Sequence, residues 1–314
     1  MKRAMVVGSA GQDGRILMER LESAGYFALG IDVQGIQSTA PVDLAAVDIL
    51  QAASVQQAVE RFRPDEVYYL AAFHHSSQDR LDNDARLFEK SFAIHVTGLL
   101  NFLEAIRRTS RQTRLFYAAS SRVFGPPPTP QQDESTPLNP DCAYGISKAA
   151  GMLCVRFYRQ VHSLFAASGI LYNHESALRP PQFVTQKIIR GALAIQSGKQ
   201  AKLVLGNLDA SVDWGYAPDY VDAMIRILNQ PQAEDFIIAT GEAHTVREFV
   251  QITFGLLGLD WKQYVEQTPG LVAVQGRSLI GNADRLRNAT GWRPSVSFAE
   301  MVGRLLSAAA TSTA

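Results

Sequence analysis

Short apolar runs alternate with stretches whose apolar positions recur every three to four residues through the first half of the chain. Runs at 4–7, 27–31, 67–71, 115–119 and 170–172 suit buried strands, while segments 15–24, 54–63, 92–107 and 149–161 carry the helical period. Strand and helix in regular succession predict parallel βαβ units and hence a doubly wound α/β sheet. Beyond residue 172 the pattern loosens. A helix is expected at 187–196, a short strand at 203–205, an aromatic turn at Asp213-Trp214-Gly215-Tyr216, and helices at 218–228, 246–256 and 298–306. This half reads as a smaller α/β substrate-binding domain made of 174–208 and 241–314, with 1–173 and about 209–240 forming the larger one. Gly125-Pro126-Pro127-Pro128 reads as a loop, and the small-residue tail 307–314 as a frayed end.

With 314 residues, 46% of them hydrophobic, the chain is long enough to bury a substantial core. Thirty basic residues balance thirty acidic ones, which excludes a highly charged disordered chain and gives no basic surplus for nucleic acid. No apolar stretch reaches bilayer length, so no membrane partner is expected. The opening MKRAMVVGSAGQDG passes from two cations through a short apolar run into glycine. It reads as a buried strand rather than a secretory leader, and a cytoplasmic location is expected. Cys142 and Cys154 have neither CxxC spacing nor a histidine set, so neither a disulfide nor a metal site is expected.

Gly8, Gly11 and Gly14 follow the first strand and open the first helix, the context in which a glycine triplet cradles a pyrophosphate at a helix N-terminus. Alone, the triplet also fits an ordinary strand-to-helix turn. Asp32 adds weight: it ends the second apolar run 18 residues after Gly14, near the offset of roughly 20 expected for a ribose-binding carboxylate. A carboxylate accepts from both ribose hydroxyls and repels a 2′-phosphate, so NAD is favoured over NADP. The whole reads as a Rossmann-type cofactor domain. Asp48 and Ile49 either flank the adenine or open a helix.

Tyr144 and Lys148 stand four apart on one helical face, and Ser120 with Ser121 ends the strand before them. An ammonium beside a phenol favours phenolate, which can exchange a proton with a sugar hydroxyl while a hydride leaves the same carbon.

With these residues the chain resembles an extended short-chain dehydrogenase/reductase. Within that superfamily it is most similar to the GDP-mannose 4,6-dehydratase family. The similarity rests on Gly11-Gln12-Asp13-Gly14, Leu70-Ala71-Ala72, Asn173-His174-Glu175-Ser176, Phe183-Val184-Thr185-Gln186-Lys187-Ile188, Leu205-Gly206-Asn207-Leu208-Asp209-Ala210, Asp213-Trp214-Gly215-Tyr216 and Ala239-Thr240-Gly241-Glu242. The resemblance implies a nicotinamide cofactor held by the glycine loop, Gln12, Asp13, Asp32, Asp48, Ile49, residues 70–72, Tyr144 and Lys148. It also implies a GDP-linked sugar near His74, Ser121, Asn173, Lys187 and Asn207, with Arg277 as a diphosphate clamp, and a homodimer through the helices bearing Tyr144 and residues 92–107.

Three departures from the family pattern bear on the reaction. Where the relatives carry a glutamate after the serine strand, Ala119-Ser120-Ser121-Arg122-Val123-Phe124-Gly125 has arginine. A guanidinium stays protonated in proteins and cannot take the sugar C5 proton that dehydration requires; Arg122 is left with an electrostatic role or a solvent-facing one. Val212 stands at a basic or polar position, and Asp32-Val33 stands where an arginine pair would receive NADP. His74 or His75 is a candidate replacement acid/base. The expected function is redox at C4 of a GDP-hexose by Ser120, Tyr144 and Lys148, as an epimerase or a 4-keto-sugar reductase. A 4,6-dehydratase and a catalytically silent sugar-nucleotide-binding protein are the alternatives.

Overall fold

The structure, a computed structural model, describes residues 1–39, 44, 46–73, 84–268 and 279–311. Seven strands form the main sheet: β1 (Arg3–Val7), β2 (Phe27–Asp32), β3 (Gly35–Ser38), β4 (Glu66–Tyr69), β5 (Arg114–Ser120), β6 (Ala166–Leu171) and β7 (Asp235–Ile238). Their order is β7-β6-β5-β4-β1-β2-β3, parallel throughout except for β3, which turns back on β2. Between β1 and β4 the order reverses, and the carboxyl ends that flank this switch point are where a doubly wound sheet receives ligands.

Alternation along each strand feeds two cores. Met5, Val7, Leu29, Ile31, Val67, Tyr69, Leu115 and Tyr117 face one side; Ala4, Val6, Ala28, Tyr68, Phe116 and Ala118 face the other. The first side packs against α2 (Ala52–Phe62), α4 (Leu99–Thr109) and α5 (Ala143–His162), and the second against α1 (Gln12–Ser23) and α7 (Ala217–Leu228). A third core joins α6 (Val184–Gln196), the strand Leu203–Leu205, α8 (Val246–Leu256) and α10 (Phe298–Thr311) around Trp214 and Phe249. Leu286 and Trp292 pack instead with the second core, beside α7. Among the described residues no helix is long and apolar enough to cross a membrane, no group of three or more ligating side chains is placed for a metal, and both cysteines are free.

Four expectations need correction. The strand expected at 170–172 runs from Ala166 to Leu171, because its backbone pairs with β5 along its whole length and with β7 from Ser168 on; Gly169 leaves room for the Phe116 ring, where a Cβ would lie 2.5 Å away. The residues 213–216 do not form a turn: Trp214–Tyr216 is a strand that pairs in parallel with Asn173–Glu175. The stretch 92–107 is not one helix but a π-helical turn, Ala93–Gly98, between α3 (Asp84–Phe92) and α4. The tail is helical to Thr311, as its run of alanines favours. Strand β7 is an element that the pattern reading leaves out.

Candidate active site

The glycine loop is shaped by contacts rather than by flexibility. Gly8 has φ +91° and lies so close to the β4 exit that a Cβ would meet the Ala71 nitrogen at 2.8 Å. At Gly14 a Cβ would stand 2.2 Å from the Gly8 carbonyl, so only glycine lets α1 seat on the loop. Gly11 differs: a Cβ there makes only an ordinary 3.4 Å contact, and the residue is exposed at the N-cap of α1 without a side-chain cap. Its bareness serves the space in front of the helix rather than the fold, as close approach by a pyrophosphate requires. The Asp32 carboxylate accepts from the Ala10 N–H at 3.0 Å and so faces the loop. This donor set fits a dinucleotide with a free ribose 2′-hydroxyl.

Residues 70–72 leave β4 beside Gly8, with Leu70 N–H donating to the Val7 carbonyl. Asp48 accepts from Leu50 N–H at 2.9 Å and closes the turn before α2, while the Ile49 carbonyl accepts from Asn101. Both lie in the loop between β3 and α2, but Asp48 does not open the helix, whose N-cap is Gln51.

Gln12 and Asp13 turn away from the loop toward the other half of the cleft. Gln12 donates to the His174 carbonyl and accepts from Ser176. Asp13 Oδ2 lies 2.8 Å from His174 Nε2, while His174 Nδ1 lies 2.7 Å from the Tyr172 carbonyl. A carbonyl only accepts, so Nδ1 carries a proton. Burial alone would raise the Asp13 pKa, but the charge and hydrogen bond of His174 outweigh it and hold the carboxyl below its usual range. Burial would likewise lower His174, and Asp13 outweighs it in the opposite direction. Each partner favours the charged form of the other, and the His174 ring stacks 4.5 Å from the Tyr220 ring.

Ser120 and Tyr144 come together at the end of β5 and the start of α5. Ser120 caps the short 3₁₀ turn Ser121–Phe124, its oxygen accepting from Arg122 N–H at 3.3 Å. Its own proton is left to point toward Tyr144, whose phenol pKa Ser120 acts to lower. Burial pushes the Tyr144 phenol up to about 12, opposed first by the charge of Arg179 and then by the Ser120 bond. Lys148 Nζ stands 5.8 Å from the centre of the Tyr144 ring. Only 1% exposed, it donates to the Ala118 carbonyl at 2.7 Å, and burial pushes it down to about 7. Arg179 is the residue that sequence reasoning misses; it stacks 3.8 Å over Phe183 and lies 3.5 Å from the buried Glu175. Its only signal is one cation between Leu178 and Pro180.

Arg122 turns to the rim of the cleft. Its guanidinium is 36% exposed, pairs with Asp141 at 3.0 Å and lies 3.7 Å from Cys142 Sγ. Ser121 is buried within the 3₁₀ turn, Asn173 is exposed at the start of its short strand, and Lys187 is half-buried on α6. Asn207 accepts from Asp209 N–H in an exposed turn. His74, His75 and Arg277 lie outside the described residues.

A glycine cradle at the switch point, an acidic residue closing the second strand, and a serine–tyrosine pair with a lysine one turn on define an extended short-chain dehydrogenase/reductase, an enzyme class. The chain matches the GDP-mannose 4,6 dehydratase family over residues 5–305, and it belongs to that family. GDP-mannose 4,6 dehydratase 2 of Arabidopsis thaliana is 38% identical over 322 residues, covering 96% of this chain and 85% of the relative. The NAD complex of UDP-glucose 4-epimerase from Thermus thermophilus superposes with TM-score 0.78 at 25% identity, over 97% of each chain. The NAD complex of dTDP-glucose 4,6-dehydratase from Bacillus anthracis shares the fold, with TM-score 0.83 at 19% identity over 99% of this chain and 97% of that one.

Proposed function

We propose that the chain performs NAD(H)-dependent redox at C4 of a GDP-linked hexose, ending in C4 epimerisation or in reduction of a 4-keto sugar, without expelling water. The observation that carries this reading is that Arg122, a residue unable to act as a base, follows Ser120 in the 3₁₀ turn that Ser120 caps and donates its N–H to the Ser120 oxygen, while Ser120 acts on the Tyr144 phenol. NAD is supported by the bare Gly11 cradle and by Asp32 at the loop, and the Thermus relative was solved with NAD. GDP as the nucleotide rests on the names of the curated relatives.

When bound, the nicotinamide ring supplies hydride acceptance and return. Tyr144 takes the C4 hydroxyl proton as the carbon is oxidised and returns it when the carbonyl is reduced. Ser120 donates to the same oxygen and keeps it in line, while the Arg179 charge eases phenolate formation in a buried site. Lys148, one turn on from Tyr144 along α5, is the residue we assign to the cofactor and to tuning the phenol. Arg122 with Asp141 lines the rim, where its charge orients the sugar.

A 4,6-dehydratase is the second reading, favoured by the 38% identity to the Arabidopsis enzyme. Incubation with GDP-mannose, and separately with its 4-keto-6-deoxy derivative, with and without NADH, separates the two by mass and NMR. The expected products keep the water, and either invert C4 or gain two hydrogens. A 4-keto-6-deoxy sugar formed from GDP-mannose would establish the dehydratase instead.

The homodimer implied by the resemblance has a candidate face on α5. Leu153, Phe157 and Val161 repeat at four-residue spacing and are 55, 51 and 59% exposed. Replacing all three with Asp is expected to turn a dimer into a monomer by light scattering. A parent chain that is already monomeric would refute this interface.

A further inference from the structure

We infer that His95 is a positioning residue that locks the Tyr144 turn and the exit of β4 into one unit. The inference rests on the C4-redox reading above. His95 is fully buried and lies inside the π-helical turn Ala93–Gly98, an uncommon geometry that recurs at functional sites. Packing holds the turn in place. The Ile94 and His95 carbonyls accept from the hydroxyls of Tyr69 and Tyr117, and Gly98 and Gly151 leave room for those hydroxyls: a Cβ would approach them to 2.4 and 2.3 Å.

The protons of the ring are fixed by its neighbours. Phe73 N–H donates to Nε2 at 3.0 Å. A backbone N–H can only donate, so Nε2 is bare and the neutral ring carries its proton on Nδ1. Nδ1–H then donates to Ser147 Oγ at 2.8 Å, and the Ser147 hydroxyl donates to the Tyr144 carbonyl at 2.9 Å. The His95 ring also meets the Tyr144 ring edge-on, with centroids 5.2 Å apart at 89°. One residue therefore fixes the segment 70–73 on one side and the first turn of α5 on the other. Neutral imidazole is suited to this because it accepts at one ring nitrogen and donates at the other.

Two amide variants separate the arms. Asn in His95→Asn places its amide at the Nδ1 position, keeping the Ser147 bond and losing the Phe73 anchor. Gln in His95→Gln places its carbonyl oxygen near the Nε2 position, keeping the anchor and losing Ser147. The expected result for His95→Asn is a weakening of NADH affinity by about tenfold with kcat nearly unchanged, because residues 70–73 flank the cofactor cradle. For His95→Gln the expectation is a kcat lower by about tenfold, a shifted pH profile of kcat and little change in NADH affinity, with Ser147→Ala reproducing it. Parallel changes in all variants, or losses that only track thermal stability, would reduce His95 to a packing residue and overturn the inference. A parent that turns over no GDP-sugar would sink the C4 reading, whereas the contrast in NADH affinity would still decide the role of His95.

Discussion

Tyr144→Phe is expected to lower turnover by about 10³-fold or more while NADH still binds, as fluorescence titration and steady-state kinetics will show. The substitution removes one oxygen and leaves the ring against His95. Ser120 loses the partner for its proton but keeps Arg122 N–H as a donor, so the 3₁₀ turn persists. The loss therefore falls on the proposed proton transfer rather than on folding. Activity that survives in the Phe variant would point to a different acid/base and to the failure of the proposed chemistry.

Lys148→Met is expected to abolish turnover and at the same time stabilise the protein near neutral pH. Burial holds the ammonium at about 7 against an ordinary 10.5. The folded state therefore sheds a proton that the unfolded chain keeps, and wild-type stability rises with pH from about 7 toward 10.5, by at most ~1.4 kcal/mol per pH unit. Below about pH 7 the charged form opposes folding by an upper bound of about 5 kcal/mol. Met removes that penalty but leaves the Ala118 carbonyl without its donor, a loss of about 1–3 kcal/mol. A net gain of about 1–3 kcal/mol near neutral pH is expected, shrinking to nothing or reversing near pH 10. Calorimetry across that range tests it; a variant less stable than the parent at neutral pH would show that the carbonyl bond outweighs the burial of the charge.

The frame of this fold is plain in the pattern of apolar positions. Strands such as Met5–Val7 and Leu115–Tyr117 advertise themselves because both faces of the sheet are covered. Strand β6 starts with Ala166, Ala167, Ser168 and Gly169, weak β formers held extended by pairing with β5 and β7, which cannot be seen locally. The π turn has no local signature either, since it is set by tyrosine hydroxyls from two distant strands.

At the candidate site the motifs marked Gly8, Gly14, Ser120 and Tyr144, whose spacing reflects a local turn or helix face. The electrostatics were hidden. Asp13 and His174 stand 161 positions apart, and no periodicity joins them. That Arg179 opposes the rise of Tyr144, and that burial lowers Lys148, are properties of the folded surroundings.

Gln12 and Asp13, at the head of α1, grip His174 and Ser176 through three hydrogen-bonding contacts. The helix that opens after the glycine loop and the short segment 174–176, far apart in sequence, are thus riveted together. Any motion that parts them has to break all three contacts, the Asp13–His174 pair among them.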